Sequence, residues 1–286
     1  MAVGRIWNNT GKGKRMGEGE WFAAFCGALT IGRTQRDSIA YRTGRIMGQL
    51  NHDLRALDSK TSNRFYVGSY GRNTAIPSVS DVDVIYELPA SLYVRFNGHV
   101  GNGQSALLNL VKNSIENTYP RSAVVGDGQV VVIRFNDGIK FEILPAFLNT
   151  EGTYTFPNSN GGGAWRECKP KQEMAAFSKR NAECNANLVP LCRMIRAWRD
   201  RNNVDMSGML IDTLAYQFIA TWEHRDKSYV YYDYPPTCLT PWSLRSGQLH
   251  YNIRRKGASP RSPRVSKNML QCRPPTGRLP LTSPRR

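Results

Sequence analysis

Two aspartates spaced two residues apart are the side chains of this sequence best suited to chemistry. Residues 81–86 read Asp-Val-Asp-Val-Ile-Tyr, so on a strand Asp81 and Asp83 project from the same face. Neighbouring carboxylates repel each other unless a cation lies between them, and a hard divalent ion such as Mg²⁺ prefers oxygen ligands. The spacing therefore predicts a metal site that carries substrate phosphates in phosphoryl or nucleotidyl transfer.

A Gly-Ser pair, Gly68 and Ser69, precedes the aspartates and follows a predicted short strand at 65–67. Gly68 lets the backbone turn tightly, so that the following amides and the Ser69 hydroxyl can face a triphosphate. Alone, an Asp-x-Asp motif is common in surface turns and a Gly-Ser pair carries little information. Together, at this spacing and flanked by strands, they favour a nucleotide site.

A predicted hairpin supplies a third acid. Two apolar runs, 130–135 and 139–147, are joined by Asn-Asp-Gly, which is a strong hairpin signal. In the second run Glu142 falls on the face opposite Phe141 and Ile143. Glu142 is therefore not simply a core position.

This combination resembles the catalytic signature of the DNA polymerase β-like nucleotidyltransferase superfamily, in which Gly-Ser is followed about a dozen residues later by Asp-x-Asp. The superfamily places a third carboxylate on a neighbouring strand, where Asp is commoner than Glu. The resemblance implies that Asp81, Asp83 and Glu142 are catalytic and bind two Mg²⁺ ions, with Mn²⁺ as an alternative. It also implies that Gly68 and Ser69 hold the β- and γ-phosphates and that Glu142 accepts a proton.

Three further stretches are similar to the cGAS/DncV-like nucleotidyltransferases (CD-NTases, the SMODS group): the long helix before the motif, residues 154–165, and residues 191–212. The resemblance covers about residues 21–234. It implies a bacterial enzyme that binds ATP or other NTPs and joins them into a cyclic di- or trinucleotide, which activates an effector in antiphage defence. Phosphate contacts in that family map to Arg196 and Ser207, although the family more often has Lys at the first position.

The predicted fold is α/β (α+β): a polymerase β-like core with a mixed sheet, a long N-terminal helix and an incomplete C-terminal helical lobe. We predict helices over 21–25, 34–57, 105–119, 190–202 and 208–224, the second opened by a capping box at 34–37. Arg193, Arg196 and Arg199 share a helical face, which is either a solvated stripe or a triphosphate clamp. Asp212 is interpreted as a structural hydrogen-bonding residue rather than a nucleotide contact.

The length of 286 residues suits one large domain or two closely packed lobes. No apolar run approaches the roughly 20 residues needed to span a bilayer, and the start lacks the apolar centre of a signal peptide. Six cysteines and four histidines show no metal-binding spacing, and Cys192 is expected to be a reduced core residue. We therefore expect a cytoplasmic protein with no membrane partner.

The formal net charge of +17 belongs mainly to the two ends. Residues 235–286 hold 11 Lys and Arg and no acidic residue, whereas residues 16–234 are nearly neutral at +2. We predict a disordered basic N-terminus (1–15), a catalytic core (16–160), a helical lobe (161–234) and a disordered Pro/Arg/Ser-rich tail (235–286). The tail is either a diverged or frameshifted end, or a nucleic-acid-binding extension.

Two alternatives to the cyclic-nucleotide reading stay open at this point. One is a transferase of the same superfamily with an RNA, protein or small-molecule acceptor; the near-neutral core weighs mildly against a long RNA track. The other is a catalytically impaired protein that only binds nucleotide or nucleic acid. Intact carboxylates weigh against that second alternative, and the missing C-terminal helices favour it.

Overall fold

The computed structural model describes residues 18–227. The predictions for the basic N-terminus (1–15) and for the tail (235–286) fall outside these residues. The α-helices are α1 (Glu18–Ala28), α2 (Arg33–Arg55), α3 (Gly68–Gly71), α4 (Ala90–Asn97), α5 (Gly103–Thr118), α6 (Pro170–Glu183), α7 (Leu188–Arg201) and α8 (Gly208–Thr221). The strands are β1 (Arg64–Tyr66), β2 (Asp81–Glu87), β3 (Val124–Asp127), β4 (Val130–Arg134), β5 (Lys140–Leu148), β6 (Tyr154–Asn158) and β7 (Ala164–Cys168).

The seven strands form one mixed sheet, as predicted. Its main path runs β1-β2-β5-β4-β3, and β6 and β7 extend it from the far end of β5. Strands β2 and β5 are parallel, which is possible because α4 and α5 lie in the connection between them. The predicted hairpin is confirmed as the antiparallel pair β4–β5. Helical structure resumes at Pro170, after β7; the division into domains stays a prediction.

Alternation along β2 separates two apolar layers. Val82, Val84 and Tyr86 are fully buried on one face, where α2 and α5 cover the sheet. Ile85 is buried on the other face and packs in a second cluster with Leu144 of β5 and with residues of β6 and β7. Asp81 and Asp83 share the face of Ile85, so the carboxylates lie at the polar margin of this second layer.

A third apolar cluster joins α6, α7 and α8. Its fully buried members are Cys184, Leu188, Cys192, Ala215 and Ile219. Cys192 is in no disulfide, as the sequence predicted. These three helices therefore have an apolar core of their own.

Two helix starts differ from the sequence expectations. The predicted capping box at 34–37 is wrong: α2 begins at Arg33, and its N-cap Gly32 makes no side-chain hydrogen bond. Asp37 instead forms an exposed ion pair with Arg33 one turn earlier. Helix α5 begins at Gly103, two residues before the predicted start, because Asn102 caps it by accepting a hydrogen bond from the Ser105 amide at 2.8 Å.

None of the helices between residues 18 and 227 combines the length and apolar content needed to cross a bilayer.

Candidate active site

The parallel pairing of β2 and β5 brings the three acidic residues together. In its register Asp83 is the partner of Glu142, and Asp81 is the partner of Lys140. Because side chains alternate along each strand, these four residues project from one face of the sheet. Ser80 donates a hydrogen bond to Asp81 Oδ1 at 2.8 Å, which helps to orient that carboxylate.

Burial and neighbouring charges shift the pKa values of two side chains in this cluster, Asp83 and Lys140. Burial, followed by the charges of Glu142 and Asp81, raises the pKa of Asp83 to about 7. Lys140 lies among the acids, with Nζ at 2.5 Å from Glu142 Oε1 and 3.3 Å from Asp81 Oδ1. Burial alone would lower the pKa of Lys140, but the hydrogen bond and charge of Glu142 and the charge of Asp81 raise it.

The Gly-Ser turn is built against Asp83. Strand β1 ends at Tyr66, the Val67 amide donates to the Asp83 carbonyl at 2.9 Å, and Gly68 then takes a φ of +62°. A Cβ at Gly68 would come within 1.8 Å of Asp83 Oδ2, so only glycine fits beside the carboxylate. Ser69 follows in the short helix α3.

A buried ion network ties α7 and α8 to this turn. Asp212 accepts from Arg196 at 2.5 Å and from Arg72 at 2.8 Å, and Thr74 also donates to it, at 3.2 Å. Asp212 is 3% exposed and the Arg196 side chain 5%. The structural interpretation of Asp212 thus agrees with its contacts. Arg196 is held in the same network, and its Nε has no hydrogen-bond partner among the described residues.

The other arginines of α7 do not form a free stripe. Arg193 donates to the backbone and side chain of Asn73 and to Thr30. Arg199 pairs with Asp200 at 2.6 Å and donates to the Met206 carbonyl. Both side chains therefore also serve contacts within the protein.

One cavity of about 360 Å³ collects the residues that the sequence singled out. All seven predicted site residues line it: Gly68, Ser69, Asp81, Asp83, Glu142, Arg196 and Ser207. Sequence reasoning missed Arg72 and Lys140. The sequence contains a feature that could have identified each of them. Arg72 follows Ser69 by three residues, in the turn predicted to face the phosphates. Lys140 precedes Glu142 by two residues, so on a strand the two side chains share a face.

The carboxylates suit a hard cation, but they are not arranged around one. Among residues 18–227 no three His, Cys, Asp or Glu side chains converge closely enough to hold a metal ion as they stand. The chemistry of the donors still fits Mg²⁺, because three carboxylates line one cavity. The pKa of Asp83 is raised by burial and then by repulsion from Glu142 and Asp81, and a bound cation would offset both effects. The cavity could accommodate phosphates between acids that bind metal and arginines that bind oxyanions.

The family profile of the Second Messenger Oligonucleotide or Dinucleotide Synthetase (SMODS) domain matches residues 16–181 of this chain. That range includes the Gly-Ser turn and all three acids. No curated protein matches the sequence at a significant level.

Solved structures with the same fold are CD-NTases of low sequence identity. CdnC of E. coli MS115-1, in complex with HORMA-deltaN, has a TM-score of 0.55 at 14% identity, covering 78% of this chain and 69% of that chain. CdnG of Bradyrhizobium diazoefficiens, in complex with GTP, has a TM-score of 0.54 at 12% identity, covering 73% and 71%. The CdnE cyclic dinucleotide synthase of Elizabethkingia meningoseptica, with GTP and Apcpp, has a TM-score of 0.51 at 15% identity, covering 71% and 76%.

Proposed function

This chain belongs to the Second Messenger Oligonucleotide or Dinucleotide Synthetase family of nucleotidyltransferases, and on that premise we propose that it condenses NTPs into a cyclic di- or trinucleotide with the help of Mg²⁺. The product would act as a second messenger that activates an effector in antiphage defence. The observation that carries the proposal is the single cavity in which the Gly-Ser turn, three carboxylates and several arginines meet.

The acidic wall of the cavity is the reaction side. Asp81, Asp83 and Glu142 would hold the two Mg²⁺ ions, or Mn²⁺ in their place. When bound, the metal would lower the pKa of the attacking ribose hydroxyl and neutralise charge on the leaving group. Lys140 and Ser80 are the side chains that hydrogen-bond to these acids and fix their orientation.

Each nucleotidyl transfer needs one proton acceptor. Glu142 takes the proton of the ribose hydroxyl, whose oxygen then forms a bond to the α-phosphorus of the second nucleotide. The bond from that phosphorus to the bridging oxygen breaks, and pyrophosphate leaves with the bonding electrons. A final transfer within the linear di- or trinucleotide closes the ring, again with release of pyrophosphate.

Other residues that line the cavity are suited to the triphosphate. Gly68 permits the phosphates to approach the backbone, and the Ser69 hydroxyl donates to them. Arg196 has a buried Nε that has no hydrogen-bond partner within residues 18–227, and this donor can serve a phosphate oxygen. Ser207 and Arg199 line the same cavity. The fold relatives bound to GTP, and to GTP with Apcpp, support nucleoside triphosphates as the substrate class.

The proposal is tested by incubating the purified full chain with all four NTPs and Mg²⁺, followed by phosphatase and mass spectrometry. We expect a phosphatase-resistant cyclic product, whose mass also identifies the bases. Asp81→Asn should abolish the product while keeping the melting temperature of a folded protein. Pyrophosphate without a cyclic product would point to another acceptor, such as RNA, a protein or a small molecule. The proposal would be contradicted if folded protein, with or without candidate activators, formed no cyclic product and released no pyrophosphate.

A further inference from the structure

Lys140 occupies the place where a cation is needed. Its ammonium group lies 2.5 Å from Glu142 Oε1 and 3.3 Å from Asp81 Oδ1, and its side chain is 22% exposed. Strand geometry fixes this position, because Lys140 is two residues before Glu142 and is the register partner of Asp81. The lysine is therefore an integral part of the acidic cluster and not a mobile surface residue.

The Lys140 ammonium group is the common partner of two of the three carboxylates. Two of the three acids direct an oxygen to the ammonium group. A lysine ammonium is a compact point charge that offers three donors, so it can satisfy both acids at once. A divalent ion arriving alone would have to displace that charge or sit beside it, and like charges a few ångströms apart repel strongly in a partly buried site.

A triphosphate changes this balance. It brings negative charge into the same cavity, and its oxygens offer the ammonium group a new partner as the metal takes the carboxylates. Arg72, Arg196 and Arg199 line that cavity and can donate to the phosphates there. Metal and nucleotide then favour each other's binding, because each removes the obstacle to the other.

Resting on the proposed metal-dependent function, we propose that Lys140 is an internal counter-cation: it holds the acids of the nucleotide-free enzyme in place of a metal ion and so makes metal binding depend on the nucleotide. Lys140 is here a positioning residue and takes no part in bond making. The proposal concerns the nucleotide-free state, so it can be tested without turnover.

The test is the affinity of the nucleotide-free full chain for Mn²⁺, measured from the electron paramagnetic resonance signal of the unbound ion. Lys140→Met should bind Mn²⁺ about tenfold or more tightly than wild type, since a unit positive charge beside the ion has been removed. A non-hydrolysable NTP should increase the Mn²⁺ affinity of the variant by a smaller factor than that of wild type. Lys112→Met is the matched control, because Lys112 pairs with Glu116 on α5 outside the cavity, and it should leave Mn²⁺ affinity unchanged.

The outcomes separate this inference from the proposed function. Equal or weaker Mn²⁺ binding by Lys140→Met, with wild type binding Mn²⁺ in the presence of nucleotide, overturns the inference and leaves the metal site standing. No Mn²⁺ binding by either protein, even with nucleotide, overturns the metal site itself.

A measurement on wild type keeps the inference testable if Lys140→Met does not fold. Acetylation of lysine amines, read by mass spectrometry, should spare Lys140 in the nucleotide-free protein. Addition of Mn²⁺ together with a non-hydrolysable NTP should change its labelling, whereas Mn²⁺ alone at the same concentration should not. Identical labelling in all three states would overturn the inference.

Discussion

Gly68 and Asp83 lie so close that the glycine cannot carry a side chain: a Cβ there would be 1.8 Å from Asp83 Oδ2 and 2.8 Å from its Cγ. The backbone reinforces the contact, since the amide of the preceding residue donates to the Asp83 carbonyl. The turn that would face the phosphates and the carboxylate that would face the metal are thus one rigid unit. A change at either residue is felt by the other.

Gly68→Ala should therefore abolish nucleotidyl transfer. The new methyl group must push the Asp83 carboxylate out of place, and the φ of +62° adds backbone strain of about 1 kcal/mol or more. The measurement is product formation by mass spectrometry together with the melting temperature of the variant.

Gly161→Ala is the matched control for backbone strain. Gly161 has the same φ of +62°, but its Cβ would meet open space. This variant should be slightly destabilised and should remain active. Equal activity in the two variants would show that the position of the Asp83 carboxylate does not matter to the reaction.

Asp83 should make the metal-free protein less stable as pH rises. Its folded-state pKa of about 7 lies above the ordinary value of 3.8, so between these pH values the folded protein keeps a proton that the unfolded chain has lost. The free energy of unfolding therefore falls between about pH 4 and pH 7, by at most about 4 kcal/mol from this residue.

Asp83→Asn isolates that contribution. The amide cannot ionise, so the variant should match wild type near pH 4 and exceed its stability at pH 8 in the presence of a chelator. The readout is the difference in free energy of unfolding between the two proteins across this range. A difference that does not grow with pH would contradict the assignment. The same variant should yield no product, since it lacks a metal ligand.

Asp212→Asn should cost about 3–5 kcal/mol, because it leaves the guanidinium groups of Arg72 and Arg196 buried without their shared counter-charge. Asp137→Asn is the comparison, since Asp137 pairs with Arg42 at 2.7 Å but is 43% exposed. That exposed pair should contribute about 1 kcal/mol or less. The measurement is chemical denaturation of both variants; similar losses would mean that the buried Asp212 network contributes no more to stability than the exposed ion pair.

Ser207 can be separated into a cap and a phosphate contact. Its hydroxyl caps α8 by accepting a hydrogen bond from the Leu210 amide at 3.2 Å, and Ser207→Ala should cost about 1 kcal/mol. Ser207→Asp should restore the cap but place a negative charge in the cavity, so its melting temperature should recover while its NTP affinity falls below that of the alanine variant. An aspartate variant that binds NTP like wild type would rule out a phosphate contact at this position.

Helix boundaries show where sequence reasoning failed and why. The apolar stripe of α2 was predicted, because spacing of three and four residues directly encodes a buried helical face. The start of α2 was not predicted correctly, because Thr34 and Asp37 are residue types found in a capping box but lie inside the helix. Capping depends on where the backbone changes from extended to helical, which here happens at Gly32, and residue type alone does not fix that position.

Arg196 shows the same limit at the candidate site. Spacing on α7 placed Arg193, Arg196 and Arg199 on one face but could not say what that face meets. The structure buries Arg196 against Asp212 and ties Arg193 to Asn73, which is about 120 residues earlier in the chain. Long-range partners of this kind leave no periodic trace in the sequence.

The sequence by itself determined strands β1, β2, β4 and β5, the hairpin and the common face of Asp81 and Asp83, because the two-residue period of a strand and the Asn-Asp-Gly turn are local properties of the chain. It did not predict β6 and β7. Only the tertiary structure decided that β2 and β5 pair in parallel with Asp83 beside Glu142, and that Lys140 lies among the acids. Register between two strands that are separated in the chain by two helices and two other strands depends on the packing of the whole sheet. The charge balance of the candidate active site is therefore a property of the fold and not of the motif.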